Sequence, residues 1–151
     1  MRISKDIESA LCLYLENLGY SASAHRIPAT LGATSPHIHI VRTGGTTRDR
    51  VLEFHNVDFD VYATDPADAM TAACNLCAVV RALEGDEVDV PVYQSEVITL
   101  PYDNPDPRHP TLGRATFKAQ IITRTSAEYE PVAHRAILIA DTGDAYAVDD
   151  N

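Results

Sequence analysis

Between Pro36 and Leu83 the apolar positions change period, and the changes delimit elements. His37-Ile38-His39-Ile40-Val41-Arg42 alternates as a strand. Thr43-Gly44-Gly45-Thr46 supplies residues that tolerate positive φ, so a turn is expected there. Val51 to Ala63 reads as the returning strand of a long hairpin. Within it Leu52 and Phe54 are apolar on even positions, whereas Val57, Phe59 and Val61 are apolar on odd ones. A period of two requires one extra residue at that change of phase, which predicts a β-bulge near His55–Asn56. Two strands separated by a kink would be the alternative. Thr64-Asp65-Pro66 then opens a helix with a cap and a first-turn proline, and Gly85 closes it. Its stripe is Ala69, Met70, Ala73, Leu76, Cys77, Val80 and Leu83, with small residues early that let a helix lie close to a sheet.

The flanking segments are less regular. Ser4 can cap a first helix whose Ile7, Leu11, Tyr14, Leu15 and Leu18 share one face before Gly19 stops it. Tyr20 to Leu31 is rich in Ala and Ser and suits either a short edge strand or a linker. Val88, Val90, Val92, Ile98 and Leu100 share parity and predict a strand interrupted by Pro91 at its edge. Prolines at 101, 105, 107 and 110 make Tyr102 to Pro110 an extended loop. Ala115, Phe117, Ala119 and Ile121 alternate with Arg114, Thr116, Lys118 and Gln120, which predicts a half-buried strand. The fold class expected is α/β in the broad sense (α+β): a mainly antiparallel sheet with a long hairpin, flanked by two helices. Residues 1–125 form its single domain. Residues 126–151 read as an interface-forming or partly flexible extension, with a short apolar run at Ala136 to Ala140 and an acidic end at Asp149-Asp150-Asn151.

A chain of 151 residues can bury a core without staples. The 45% hydrophobic and 23% charged fractions are those of a soluble globular protein. The net charge of −10, from 22 acids against 12 bases, argues against a cationic nucleic-acid footprint. There is no secretory leader pattern and no apolar run long enough to span a bilayer, so no membrane partner is expected. Three cysteines leave an odd thiol, which makes a disulfide framework improbable and a reducing compartment the default.

Several residue groups resemble chemistry without committing to it. Cys74 and Cys77 form a C-x-x-C, but within a helix and without a second pair they read as small apolar side chains, as does Cys12. His37 and His39 face the same side of their strand, and His55 on the return strand could approach them to form a zinc-binding trio. No carboxylate lies at a spacing that would hold their second nitrogens, so solvated or subunit-contact histidines are the preferred reading and no metal or cofactor is assigned. Asp58 and Asp60 read as the wet face of their strand, available to Arg114, Lys118 and Arg124. Gly44-Gly45 lacks the phosphate-loop spacing, and no G-x-S-x-G elbow presents a nucleophile. No catalytic residue is assigned, and the protein is not expected to be an enzyme.

The run Arg42-Thr43-Gly44-Gly45, then Val57-Asp58-Phe59-Asp60-Val61-Tyr62-Ala63, Asp68-Ala69 and Val80-Arg81-Ala82-Leu83, resembles the tail terminator proteins of long-tailed (siphovirus-like) bacteriophages. Leu100-Pro101-Tyr102-Asp103, the Asp/Pro/Arg loop through Arg108 and the strand from Arg114 continue the likeness over about the first 125 residues. The resemblance implies a virion protein forming a homohexameric ring at the head-proximal end of the tail. That ring would cap the tail-tube protein, stop its polymerisation and present its other surface to the head or neck connector. DNA would pass through the lumen without specific binding, which suits an acidic subunit. The interface residues expected are the hairpin tip, Arg42, Thr43, Gly44, Gly45, Thr46, Thr47, Arg48, Asp49 and Arg50, and the loop residues Tyr102, Asp103, Asn104, Asp106, Arg108 and His109. The alternatives are a head-closure or neck component, a small metal-dependent enzyme using His37, His39 and His55, and a dimeric ligand-binding domain.

Overall fold

The computed structural model describes residues 4, 6–29, 31, 36–49 and 51–125. The elements in chain order are α1 (Ile7–Asn17), β1 (Ser21–Ala24), β2 (His37–Arg48), β3 (Leu52–Ala63), α2 (Pro66–Arg81), β4 (Val92–Asp103) and β5 (Gly113–Arg124). The sheet order is β1-β2-β3-β5-β4. β1 runs parallel to β2 and every other neighbouring pair is antiparallel. This is the α+β fold with a long hairpin that the periodicities predict.

Asp6, rather than Ser4, caps α1, its carboxylate accepting from the Ser9 backbone N–H at 3.3 Å. Gly19 ends the helix at φ +97°, where its N–H reaches the Glu16 carbonyl and that of Tyr20 reaches Leu15. Such a left-handed residue closes orphan carbonyls at no side-chain cost. Ile7, Leu11 and Leu15 enter the core, but Leu18 is 53% exposed, because the helix has ended before that position faces the sheet. α2 buries the expected small-residue stripe of Ala69, Ala73, Leu76, Cys77 and Val80, with Asp65 as its cap. Under the helices lie Ile38 and Ile40, Val57, Phe59 and Val61, and Ala115, Phe117, Ala119 and Ile121. Phe59 and Phe117 are register partners whose rings stack at 4.9 Å, worth about 1 kcal/mol beyond area burial.

The hairpin departs from expectation in two ways. The Gly44-Gly45 pair is not the turn: β2 continues through it to Arg48, and the chain reverses around Asp49, whose φ is +55°. The bulge is not in β3 either. Register steps from Arg42↔Val57 to Gly44↔Asn56, which leaves Thr43 as the extra residue on β2. β3 therefore keeps one parity throughout, and Glu53, His55, Val57, Phe59 and Val61 are all buried. The core claims the odd positions, and a strand has no means of changing face without an inserted residue of its own.

Val88 and Val90 precede β4 as buried loop residues rather than as part of the strand. Ile98 and Leu100, which share parity with the buried Val92 along the chain, are 58% and 66% exposed. β4 is the last strand of the sheet, and the register shift at Val92/Gln94 moves the inward positions from Val92 to Ser95 and Val97, which leaves Ile98 and Leu100 on the opposite face. The predicted loop starts slightly later, after Asp103. The apolar run at 136–140 and the rest of the expected extension lie outside the described residues.

Candidate functional site

The β2 arm of the hairpin's outer half stands in solvent, with every residue from Thr43 to Asp49 exposed, while Glu53 and His55 opposite it on β3 are buried. Two devices shape it. Gly45 sits at φ +155°, and a Cβ there would run into the Phe54 carbonyl of the opposite strand. The Arg48 guanidinium lies over the Phe54 ring at 5.2 Å, a contact of about 0.5–1 kcal/mol at an exposed site. Arg42 is not part of the tip. It is half-buried beside the bulge, its backbone N–H donating to Glu8 Oε2 at 2.7 Å. Arg50 lies outside the described residues.

The loop from Asn104 to Leu112 is built differently, around one buried carboxylate. Asp106 accepts from the Tyr62 hydroxyl at 3.0 Å, from the Arg108 N–H at 3.0 Å and from His109 Nδ1 at 3.2 Å. The Arg114 guanidinium stands 3.6 Å from it. Burial alone would raise this carboxyl. The Arg108 N–H, His109, Tyr62 and Arg114 overcome that and hold it well below the usual carboxylate range. Arg114 also donates to the Asn104 carbonyl at 2.6 Å and covers the Tyr62 ring, so the first part of the loop is tied to β3 and β5. Burial pushes the Tyr62 hydroxyl upward, which keeps it a donor.

Of the loop residues expected at an interface, Tyr102, Asp103 and Arg108 are exposed, and Asn104 and His109 are half-buried. Asp106 is 3% exposed and is an anchor, not a contact residue. The signal for this role was present: an Asp two residues before Arg108 can close an Asx turn on that N–H.

Asp58 and Asp60 lie on the sheet face away from the helices, as expected. Lys118 Nζ pairs with Asp58 at 2.9 Å, and the Thr116 hydroxyl donates to Asp60 at 2.7 Å. These are cross-strand partners with no free carboxylate pair for acid–base work.

The imidazoles do not converge. His37 and His39 sit on that same open face, opposite Tyr62 and Asp60, whereas His55 shares the helix face with Val57 and Phe59. The trio imagined for zinc is therefore divided by the sheet, and no metal-holding cluster occurs among the described residues. Ser21 and Ser23 hold His37 at 2.7 and 2.8 Å, and Ser23 also reaches His39 Nδ1 at 2.8 Å. Burial pushes both rings below the usual imidazole range. His55 is fully buried, with Nε2 3.0 Å from the Thr123 hydroxyl and Nδ1 without a hydrogen-bond partner among the described residues. Burial, helped by the Arg42 charge and opposed by Glu53, pushes it down to about 4.

One constellation escaped sequence reasoning. Ser9 Oγ lies 3.1 Å from His25 Nε2, and Glu8 Oε1 lies 3.1 Å from His25 Nδ1, in the order of a Ser-His-acid triad. The hydroxyl, however, donates to Asp6 Oδ2 at 2.9 Å, and the same Asp6 oxygen sits 3.1 Å from His25 Nε2. The nitrogen a general base would use is thus engaged by the helix cap, and the group closes the start of α1. The adjacent groove, between α1 and residues 87–89, is open and lined by Asp6, Glu87 and Asp89 beside Leu13. All three cysteines are free, with Cys74 exposed and Cys77 buried on α2. Burial raises the Cys77 thiol, so it lacks thiolate character.

No known family model and no curated protein sequence matches the chain.

Proposed function

We propose that this protein is a structural subunit of a long-tailed bacteriophage virion, a tail terminator. It assembles as a homohexameric ring on the last layer of tail-tube protein, halts its polymerisation and offers its other surface to the head or neck connector. The observation that carries this reading is the outer half of β2, where every residue from Thr43 to Asp49 is solvent-exposed and β1 pairs only as far as Ile40. An exposed strand edge of that length is suited to meeting another protein. Two further features support it: the α+β fold that the resemblance implies and the exposed ridge of Tyr102, Asp103 and Arg108. A net charge of −10 suits a lumen that DNA must slide through, because an acidic wall makes no lasting phosphate contacts.

Mass measurement by light scattering, with negative-stain microscopy of the same sample, tests the ring. A closed six-membered particle is the expected result, and a strict monomer at high concentration overturns the proposal. Adding the protein to polymerising tail-tube subunits should end tubes at a defined face. Binding only to filled heads would move it to the neck.

A further inference from the structure

His37 and His39 are only 5% and 7% exposed although they lie on the sheet face away from the helices. Beside them runs β1, the edge strand, with Ser21 in register with His37 and Ser23 with His39. The four side chains form one continuous chain of contacts. Ser21 Oγ lies 2.7 Å from His37 Nδ1, Ser23 Oγ lies 2.8 Å from His37 Nε2, and the same Ser23 oxygen lies 2.8 Å from His39 Nδ1. β1 itself is four small residues long, Ser21–Ala24, each half-buried, with Ala22 packed against the core. Such a strand opens at lower cost than the central ones.

Protons along this chain are limited. A serine hydroxyl has one proton to donate, and a neutral imidazole has one donor and one acceptor nitrogen. With both rings neutral, Ser23 donates to one ring and accepts from the other. A first proton is accommodated: a charged His37 donates to Ser21 and Ser23, and Ser23 still donates to His39. A second is not. Both rings then aim N–H groups at the Ser23 oxygen, the Ser23 proton loses its acceptor, and two buried cations flank one atom.

The surrounding charges offset this little. β1 offers only the two serines. From β3, Tyr62 stands opposite His37 and Asp60 opposite His39, but Asp60 already accepts from Thr116 at 2.7 Å and has Arg114 at 3.9 Å. From α1, Glu8 accepts from the Arg42 N–H and pairs with His25. Arg108 of the loop opposes a cation on His39. Burial lowers both imidazoles, and the His39 charge lowers His37 further.

We propose that β1 is an acid-released cover of the β2 edge, held while His37 and His39 carry at most one proton between them and detached when both are charged. Its release joins the edge from His37 to Ile40 to the already exposed stretch beyond the bulge. The sign follows from linkage: the released rings titrate near the ordinary value of about 6.5 and the covered ones below it, so acid favours release and neutral pH the closed edge. This device is independent of the ring reading.

Hydrogen exchange of the full chain, read by mass spectrometry and corrected for intrinsic exchange rates, tests it between about pH 8 and about pH 5. Protection of residues 21–24 should fall about tenfold or more at the acid end, while residues 57–61 and 115–121 of the central strands keep theirs. His37→Gln and His39→Gln each leave one imidazole, and each should remove most of that fall. Circular dichroism reports whether each is folded, and either one that folds decides the matter. Unchanged β1 protection in the wild type, an equal loss in the central strands, or an undiminished acid response in a folded single variant overturns the proposal.

Discussion

The hairpin tip and the loop after β4 look equivalent along the chain, as polar segments between strands, yet they are made rigid by opposite means. The loop is held by side chains: one buried carboxylate gathers donors from Tyr62, Arg108 and His109 beside the Arg114 guanidinium. The tip is held by backbone, through a bulge at Thr43 and a glycine pressed against the opposite strand. Damage to the loop should therefore spread into the sheet. Damage to the tip should stay local.

The largest expected effect tests that spread. Asp106→Ala leaves the Tyr62 hydroxyl and the Arg114 guanidinium facing an emptied, buried position, and should cost about 3–5 kcal/mol in urea unfolding. A loss under 1 kcal/mol would mean that the network is not what anchors the loop.

Acid separates the two regions next. His55, behind the hairpin, titrates near 4 in the folded protein against about 6.5 when unfolded. As pH falls below 6.5 the unfolded chain takes the proton first, so stability present at neutral pH declines down to about pH 4, by roughly 3 kcal/mol. His37 and His39 contribute in the same direction. His55→Leu should remove close to one proton from that slope, and an unchanged slope would contradict the burial argument. Asp106, depressed in the folded state, keeps its contribution above the ordinary carboxylate range and loses it only at lower pH. The hairpin side should thus weaken before the loop does.

Gly45→Ala should cost about 1–3 kcal/mol, because the added methyl meets backbone that cannot step aside. Gly44→Ala, with open space around its Cβ position, should cost less in the same thermal melts. Arg48→Ala is the mildest change, removing an exposed cation–π contact worth under about 1 kcal/mol. Its melting temperature should barely move. If it destabilises the monomer as much as Gly45→Ala, the tip is not a local unit.

Much of the architecture was legible because burial imposes a simple rhythm. Ala115 to Ile121 and the Ala69 to Val80 stripe match their periods, since each element has one dry face. Legibility failed where a polar residue took an inward position. Glu53 and His55 look like surface residues, and their place on the core face follows only from the parity that Val57, Phe59 and Val61 impose. The zinc trio failed for the same reason: His55 is on the other side of the sheet from His37 and His39. Asp106 was visible as a loop residue. Its burial was not, because the donors come from Tyr62 and Arg114, distant in the chain.

By itself the sequence determined which segments become helix and strand, where α2 begins and that the sheet has one apolar face, because caps and periodicities act over a few residues. The tertiary structure decided where the hairpin turns, which strand carries the bulge, which acid is an anchor and which strand is left at the edge with its apolar side chains in water. Those outcomes depend on partners brought together across the sheet, and strand order and register are not written in any local pattern.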